Sequence, residues 1–354
     1  MGLPSAGAGP PGAVVQTYAG DLKFPVDLAW ERGTNRFFFT EKNTGKVRVM
    51  EGRTLLPKPC RKVDVQNNFE QGLLGNTLHP DYEINHYLYV YFTKRAPRDN
   101  RVLRYVVENN RCTERTLIVK DIPANIVHNG GQLKFIDGKL FVSTGDVNVP
   151  ANAQDLTLDP DPEAKVEASL AGKVLRYNDD GTIPADNPFV GVAGHNPAIW
   201  SYGHRNGFGF AHKGGTSHLW ETENGPGCDD ELNFIESGMD YGWPPDDIEN
   251  CSGYDKTSRE PVARWNPTIA PTDAHWYDGR LDVYEPGLYF GDFNFGQIHF
   301  LDMSLDGTEV LNGDQGQVVY DGPDPIIDVA KGPGGWFYFL TPDAIKRIKN
   351  APQT

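Results

Sequence analysis

A strand–break–strand signature recurs six times along this chain of 354 residues. Each copy has an apolar and aromatic run, a polar break, and a second run in which apolar and polar residues alternate. The copies can be aligned on one aromatic anchor residue each: Phe38, Tyr89, Phe141, Trp220, Tyr289 and Tyr338. Period-2 alternation between turn residues predicts β-strands, and no stretch sustains the 3.6-residue apolar period of a helix.

Six such copies predict an all-β fold, a six-bladed β-propeller with four-stranded antiparallel blades. A pair of β-sandwiches would not repeat one signature six times. The 39 Gly and 27 Pro residues fit many turns between strands, since aromatic residues are also plentiful. We expect a flexible N-terminal segment over residues 1–16 and a single propeller domain over residues 17–350. The longest gaps between anchors predict enlarged loops at about 147–169 and 236–272.

The charge balance excludes several partners. The chain has 33 Lys and Arg against 48 Asp and Glu, a net charge of −15, and no long basic run, so we expect no nucleic-acid partner. No apolar window is long enough to predict a membrane span. The N-terminus has neither the charged nor the apolar region of a secretion signal, and we interpret the chain as mature or trimmed.

Four cysteines allow three disulfide pairings, and the chain has no CxxC motif, which argues against a zinc ribbon. We favour Cys60 with Cys112 and Cys228 with Cys251, because each pair joins two polar, turn-rich segments. Four free thiols in a cytosolic protein remain the alternative. Disulfides would indicate an exported chain, extracellular or periplasmic.

Two segments carry residues suited to catalysis. His128 precedes two glycines in a loop ahead of the third repeat, and Asp146 ends the strand that follows. A histidine oriented by a carboxylate is a general-base arrangement. Arg205, in the turn at residues 202–206, could hold an anionic cofactor through paired hydrogen bonds. The structural alternatives are a histidine that satisfies a turn and an arginine in a salt bridge.

A loop at residues 223–231 combines acidic side chains with glycines. Ligands that are all oxygen favour a hard cation, calcium before zinc, although a solvated acidic loop is the alternative. Trp243, Trp265, Trp276 and Tyr277 could stack on sugar faces, but we favour a role in the blade core. The motifs of serine hydrolases, P-loop enzymes and nicotinamide-binding folds are missing from the sequence.

Together these segments resemble the soluble glucose/sorbosone dehydrogenase family, aldose dehydrogenases that use pyrroloquinoline quinone (PQQ). The resemblance covers most of residues 20–350. The matching stretches are residues 72–75, 79–82, 128–131, 141–146, 153–155, 172–176, 184–188, 202–206, 223–226, 230–233 and 241–244.

The resemblance implies an active site at the propeller mouth. His128 would take the proton from the anomeric hydroxyl of a sugar while the C1 hydride passes to PQQ, with Asp146 as its partner and Arg205 polarising the transferred charge. The residues it assigns to cofactor contacts are Glu70, Gln71, His128, Arg205 and Asn206. For Ca²⁺, it assigns Gly225 and Pro226 as carbonyl ligands beside the cofactor, and Glu231 and Tyr241 as a second, structural site.

The chain departs from the family at the cations that hold the PQQ carboxylates. Residues 291–296 read Gly-Asp-Phe-Asn-Phe-Gly where the family has a lysine, and Pro325 and Ile327 stand where it has two arginines. Losing several charge-assisted hydrogen bonds would weaken PQQ binding by orders of magnitude. Two alternatives therefore stay open: a calcium-dependent, lactonase-like hydrolase, and a non-catalytic propeller that binds a carbohydrate or a protein partner. The electron acceptor is not assigned by the sequence.

Overall fold

Each of the six repeats folds into one antiparallel sheet, and the six sheets form the blades of a β-propeller in the computed structural model. The fold predicted from the repeats is confirmed. The structure describes residues 11–159 and 166–352. Residues 1–10 of the expected N-terminal segment and residues 160–165 of the first enlarged loop lie outside the described residues.

The strands follow the chain blade by blade, from the innermost strand outwards. Strand β1 (Ala13–Ala19) precedes blade 1 in the chain. Blade 1 comprises β2 (Pro25–Trp30), β3 (Arg36–Glu41), β4 (Lys46–Glu51), β5 (Thr54–Leu55) and β6 (Arg61–Lys62). Blade 2 comprises β7 (Leu73–Leu78), a short helix α1 (Tyr82–Asn85), β8 (Tyr87–Thr93), β9 (Asn100–Glu108) and β10 (Arg111–Ile122). Blade 3 comprises β11 (Leu133–Ile136), β12 (Lys139–Thr144), β13 (Lys173–Tyr177) and β14 (Ile199–Tyr202).

The second half of the propeller repeats this order. Blade 4 comprises β15 (Gly207–His212), β16 (Leu219–Glu223), β17 (Asp230–Phe234) and β18 (Ala263–Trp265). Blade 5 comprises β19 (Pro271–Tyr277), β20 (Gly287–Asp292), β21 (Gln297–Leu301) and β22 (Gln317–Asp321). Blade 6 comprises β23 (Asp328–Lys331), β24 (Phe337–Thr341), β25 (Ala344–Asn350) and β1, and short 3₁₀ turns lie at Pro150–Gln154, Ala168–Leu170 and Pro333–Gly335.

The two ends of the described chain meet in the last blade. Strand β1 pairs antiparallel with β25, so the N-terminal strand supplies the outer edge of a blade whose other strands are C-terminal. This corrects the boundary expected at residue 17. Residues 13–16 belong to the sheet, because they pair with residues 347–350 and close the ring.

The core lies between neighbouring blades, so strands in the middle of a blade are buried on both faces and read as continuous apolar runs. Phe37, Phe38 and Phe39 on β3 are all fully buried. The six aromatic anchors are buried as well, which places them in the core between blades and not at a ligand site.

Two disulfides link loops of the fold, Cys60 to Cys112 and Cys228 to Cys251. The favoured pairing is confirmed, and no cysteine is free. The first bond joins blades 1 and 2. The second ties the acidic loop after β16 to the enlarged loop before β18. No helix among the described residues is long and apolar enough to cross a membrane.

Candidate active site at the propeller mouth

His128 and Asp146 are brought together at one mouth of the propeller. Nδ1 of His128 lies 2.7 Å from Oδ1 of Asp146, which also accepts the backbone N–H of Asn148 at 2.7 Å. The other oxygen, Oδ2, accepts the indole N–H of Trp243 at 2.8 Å. In the described chain no hydrogen bond engages Nε2 of His128, so this nitrogen is available to a ligand once Nδ1 donates to the carboxylate.

The backbone at His128 is held in an unusual conformation. Its φ is 54°, a region that costs energy for a residue with a side chain. The Glu70 carboxylate accepts the His128 N–H at 2.6 Å, and the His128 carbonyl accepts from Val147 at 3.2 Å. A Cβ at Gly145 would lie 2.3 Å from that carbonyl oxygen, so this position requires glycine. Glu70, predicted as a cofactor contact, thus positions the histidine.

Arg205 lies beside this pair, in the loop before β15. Its Nη1 donates to the Asn224 carbonyl at 2.6 Å, and its guanidinium is 5.4 Å from the Trp243 ring centre. Its carbonyl accepts the N–H of Asp146 at 2.7 Å. Arg205 forms no ion pair with the carboxylates of the described residues, so the salt-bridge interpretation is wrong. Its N–H donates to Glu223.

A buried cluster next to Arg205 was not expected from the sequence. It consists of His204, Glu221 and Glu223, and Glu223 accepts the Arg205 N–H. The fully buried His204 places Nδ1 3.0 Å from Glu223 and 3.1 Å from Glu221, while its Nε2 is 2.9 Å from the Ser201 hydroxyl. Burial alone would lower the pKa of His204, but the two carboxylates raise it overall. The signal that could have revealed this cluster was the pair of carboxylates in β16, a strand whose residues are all buried.

A cavity of about 430 Å³ opens next to the His128 loop. Its polar lining includes Glu70, Asn129, Asn206 and Asn224, and its apolar lining includes Phe24, Phe69, Phe293 and Ile327. Two predicted cofactor residues, Glu70 and Asn206, therefore line the cavity. Gln71 does not, because its side chain is fully buried in the fold.

The cation that lines this cavity is Lys42, which the sequence analysis did not single out. It directly follows β3, at the same end of its strand as Asp146, which lies two residues after β12. A charged residue just past a buried strand was the available signal. Its ammonium donates to the Phe69 carbonyl and to Asn43 at 3.1 Å, and lies 5.4 Å from the Phe24 ring centre. Burial lowers the pKa of Lys42, and the charge of Glu70 partly opposes this. It has no ion-pair partner in the parts of the chain that are described.

The residues present fit a carboxylated quinone. The protein cations that would bind its carboxylates lie at positions different from those in the family. The volume lies within the range of pockets that enclose ligands of this size. Lys42 in the lining can hold an anionic group, and so can Arg205, which lies outside the lining in the loop before Asn206. The amides of Asn129, Asn206 and Asn224 can hold carbonyl oxygens. The wall from blades 5 and 6 carries no cation among the described residues, and Phe293 and Ile327 lie at or beside the positions of the missing cations.

Three of the predicted calcium ligands lie in the loop after β16 and in the strand that follows it, and the fourth, Tyr241, lies in the enlarged loop after β17. The N–H of Gly225 donates to Asp230 at 2.8 Å, and a Cβ there would lie 2.0 Å from the Cys228 carbonyl, so the tight turn requires glycine. Pro226 follows in the same turn. This loop leads into β17, which carries Glu231.

Glu231 and Tyr241 differ in how free their side chains are. Burial and the charge of Glu223 raise the pKa of Glu231 to about 8. The Tyr241 hydroxyl donates to the Phe234 carbonyl and accepts the Glu236 N–H at 2.9 Å, so it has no capacity left for a cation. The structural calcium site at these two residues stays a prediction.

The four aromatic residues considered for sugar stacking have other roles. Trp265 and Tyr277 are buried in the core, as favoured, and Trp276 stacks on Trp220 with ring centres 5.5 Å apart. Trp243 is also buried, with its indole N–H committed to Asp146.

Comparisons with known proteins agree with this fold. The profile of the glucose/sorbosone dehydrogenase family matches residues 22–349. An aldose sugar dehydrogenase of Escherichia coli is 28% identical, covering 95% of this chain and 92% of that protein. Quinoprotein glucose dehydrogenase B of Acinetobacter calcoaceticus is 32% identical, covering 70% of this chain and 54% of that protein. The PQQ-bound aldose sugar dehydrogenase of Streptomyces coelicolor superposes with a TM-score of 0.78 at 25% identity, covering 97% of this chain and 99% of that one.

Proposed function

The chain belongs to the glucose/sorbosone dehydrogenase family, and from this membership we propose that it is a quinone-dependent dehydrogenase that oxidises the C1 hydroxyl of an aldose. The observation that carries the proposal is the His128–Asp146 pair, held at 2.7 Å beside a cavity of suitable size. The relatives named as sugar dehydrogenases support a sugar oxidoreductase in general.

His128 acts as the general base in this proposal. Nδ1 donates to Asp146, which fixes the tautomer and leaves Nε2 to accept the proton of the sugar hydroxyl. Asp146 stabilises the imidazolium that forms, and its own position is held by Trp243 and Asn148. The quinone, when bound, supplies the two-electron acceptor for the C1 hydride.

The cofactor would be held by residues from blades 1, 3 and 4. Lys42 and Arg205 would bind its carboxylates, and Asn206 would bind a carbonyl oxygen. Gly225 and Pro226 would offer backbone carbonyls to a Ca²⁺ ion at the same mouth. The two disulfides support a location outside the cytosol, extracellular or periplasmic.

The test compares the wild-type chain with His128→Asn in the presence of Ca²⁺. PQQ binding is measured by absorbance titration, and turnover by dye reduction over a panel of aldoses. We expect both proteins to bind PQQ, and turnover to fall in the variant by about 10²–10⁴-fold. A wild-type protein that binds no PQQ, or a variant that keeps full turnover, would contradict the proposal.

The wall from blades 5 and 6, which carries no cation among the described residues, favours a second candidate, the calcium-dependent lactonase-like hydrolase. In that reaction the metal would polarise the lactone carbonyl and His128 would activate water. Lactone hydrolysis by the quinone-free protein, lost on chelation of Ca²⁺ and in His128→Asn, would support this candidate over the dehydrogenase. If no substrate is turned over, a non-catalytic binding propeller is what remains.

A further inference from the structure

Three aspartates from different blades meet in the central channel beneath the mouth cavity. Asp27 lies on β2, Asp273 on β19 and Asp328 on β23, which are the innermost strands of blades 1, 5 and 6. One carboxylate oxygen from each lies within 4.8 Å of the others, and all three side chains are buried. We call these residues the channel triad. The family resemblance and the proposed function assign them no role.

The hydrogen bonds of the channel triad are incomplete. Asp27 accepts the backbone N–H of Asn76, and Asp273 accepts the Gln132 amide at 2.7 Å and the Phe210 N–H at 3.2 Å. Asp328 is only 1% exposed, and apart from a side-chain contact with the Asp273 carboxyl group, no donor among the described residues reaches its oxygens. A buried carboxylate without donors is costly, so a partner at this point would stabilise it strongly.

The counter-charge at the triad is also incomplete. Lys134 on β11 acts electrostatically on all three carboxylates, but it makes no ion pair with them in the described structure. Burial, together with the charge of Asp273, raises the pKa of Asp27 to about 8. Three buried carboxylates this close together cannot all be ionised against one ammonium, so the triad takes up either protons or a further cation.

We propose that the channel triad binds a divalent cation, with Ca²⁺ preferred. Three carboxylates offer up to six oxygens, the ligand type and number that a hard cation requires. The mouth cavity supplies an entry path, because Asp273 forms part of its lining. This site is separate from the calcium predicted at Gly225 and Pro226 on the mouth loop.

The first test locates the ion directly. Crystals of the full chain, stripped with a chelator and soaked in Mn²⁺, are measured for anomalous scattering, and Ca²⁺ binding is measured by calorimetry. We expect an anomalous peak between the three carboxylates in the wild type. In Asp328→Asn that peak is lost and Ca²⁺ affinity at this site falls by about 100-fold or more. Asp64→Asn, at an 80% exposed side chain, is the matched control and leaves both unchanged.

A second variant separates binding from a merely structural role. Lys134→Met removes the competing positive charge and should raise the Ca²⁺ affinity of the triad by about tenfold. A wild-type map without an ion at the triad, or an affinity that neither variant changes, would overturn the proposal. Protons would then neutralise the three carboxylates. Neither outcome depends on sugar turnover, so the proposed dehydrogenase activity is tested separately.

Discussion

The indole N–H of Trp243 donates to Oδ2 of Asp146 at 2.8 Å, although 97 residues separate the two positions. This contact reaches from the enlarged loop before β18 to the end of β12. It satisfies the Asp146 oxygen that does not contact His128, so the loop helps to position the proposed general base through Asp146.

Replacing Trp243 by Phe should lower both turnover and stability. The variant keeps an aromatic ring but leaves a buried carboxylate oxygen without its donor, at a cost of about 1–3 kcal/mol in the free energy of unfolding. Denaturant unfolding and dye-linked turnover measure the two effects. Trp276→Phe, remote from Asp146, is the control for loss of an indole. Equal turnover in wild type and Trp243→Phe would contradict the positioning role.

Replacing Lys42 by Met should weaken PQQ binding by about 10- to 100-fold, because one charge-assisted hydrogen bond is worth about 1.5–3 kcal/mol. Lys42→Arg should keep most of the affinity. Lys62→Met, at an exposed lysine on the outer edge of blade 1, is the control for loss of charge. An unchanged dissociation constant in Lys42→Met would mean that the cofactor carboxylates do not reach blade 1.

Lys173 is a fully buried lysine whose ammonium donates to the carbonyls of Asn152 at 2.7 Å, Ala153 at 3.0 Å and Ala171 at 2.7 Å. Lys173→Met should destabilise the protein by about 1–3 kcal/mol, because these buried carbonyls lose a donor. Chemical denaturation at neutral pH measures the loss, and Lys139→Met on the neighbouring strand is the control.

The stability contribution of Lys173 should also depend on pH. Burial lowers the pKa of Lys173 to about 7, against an ordinary value of 10.5. Between these values the unfolded chain binds the proton and the folded chain does not, so stability rises with pH across this window. The difference in unfolding free energy between wild type and Lys173→Met should therefore increase from pH 7 to pH 9.5. A constant difference would mean that the three carbonyls keep the ammonium charged.

Removing the Cys60–Cys112 bond by a double Cys→Ala change should lower the free energy of unfolding by about 2–5 kcal/mol. The bond closes a separation of 52 residues, against 23 for Cys228–Cys251. The chain-entropy account therefore predicts a cost larger by about 0.7 kcal/mol for the first bond. Denaturation of both double variants in parallel shows which of the two bonds contributes more to the free energy of unfolding. The reverse order would show that local packing outweighs loop length.

The strands and the six blades could be predicted because each depends on residues close together in the chain. The two disulfides were predicted because each joins cysteines that are neighbours in cysteine order and lie in polar, turn-rich segments. A β-strand next to a turn leaves its own period in the sequence, and Phe37, Phe38 and Phe39 mark a strand buried on both faces. The closure of the ring was harder to predict. The segment at residues 13–16 becomes an edge strand only because β25 arrives beside it from the other end of the chain.

The contact between His128 and Asp146 could be predicted in part, since the two residues flank one hairpin of blade 3 and the family motif covers both. The sequence by itself thus determined the blade architecture, the candidate base and its carboxylate. Only the tertiary structure decided that Lys42, Trp243 and the channel triad converge with them. The triad forms because closing the ring points the innermost strands of blades 1, 5 and 6 at one axis. Lys42 and Trp243 are placed by loops of blades 1 and 4. No local pattern of residues encodes a contact of that kind.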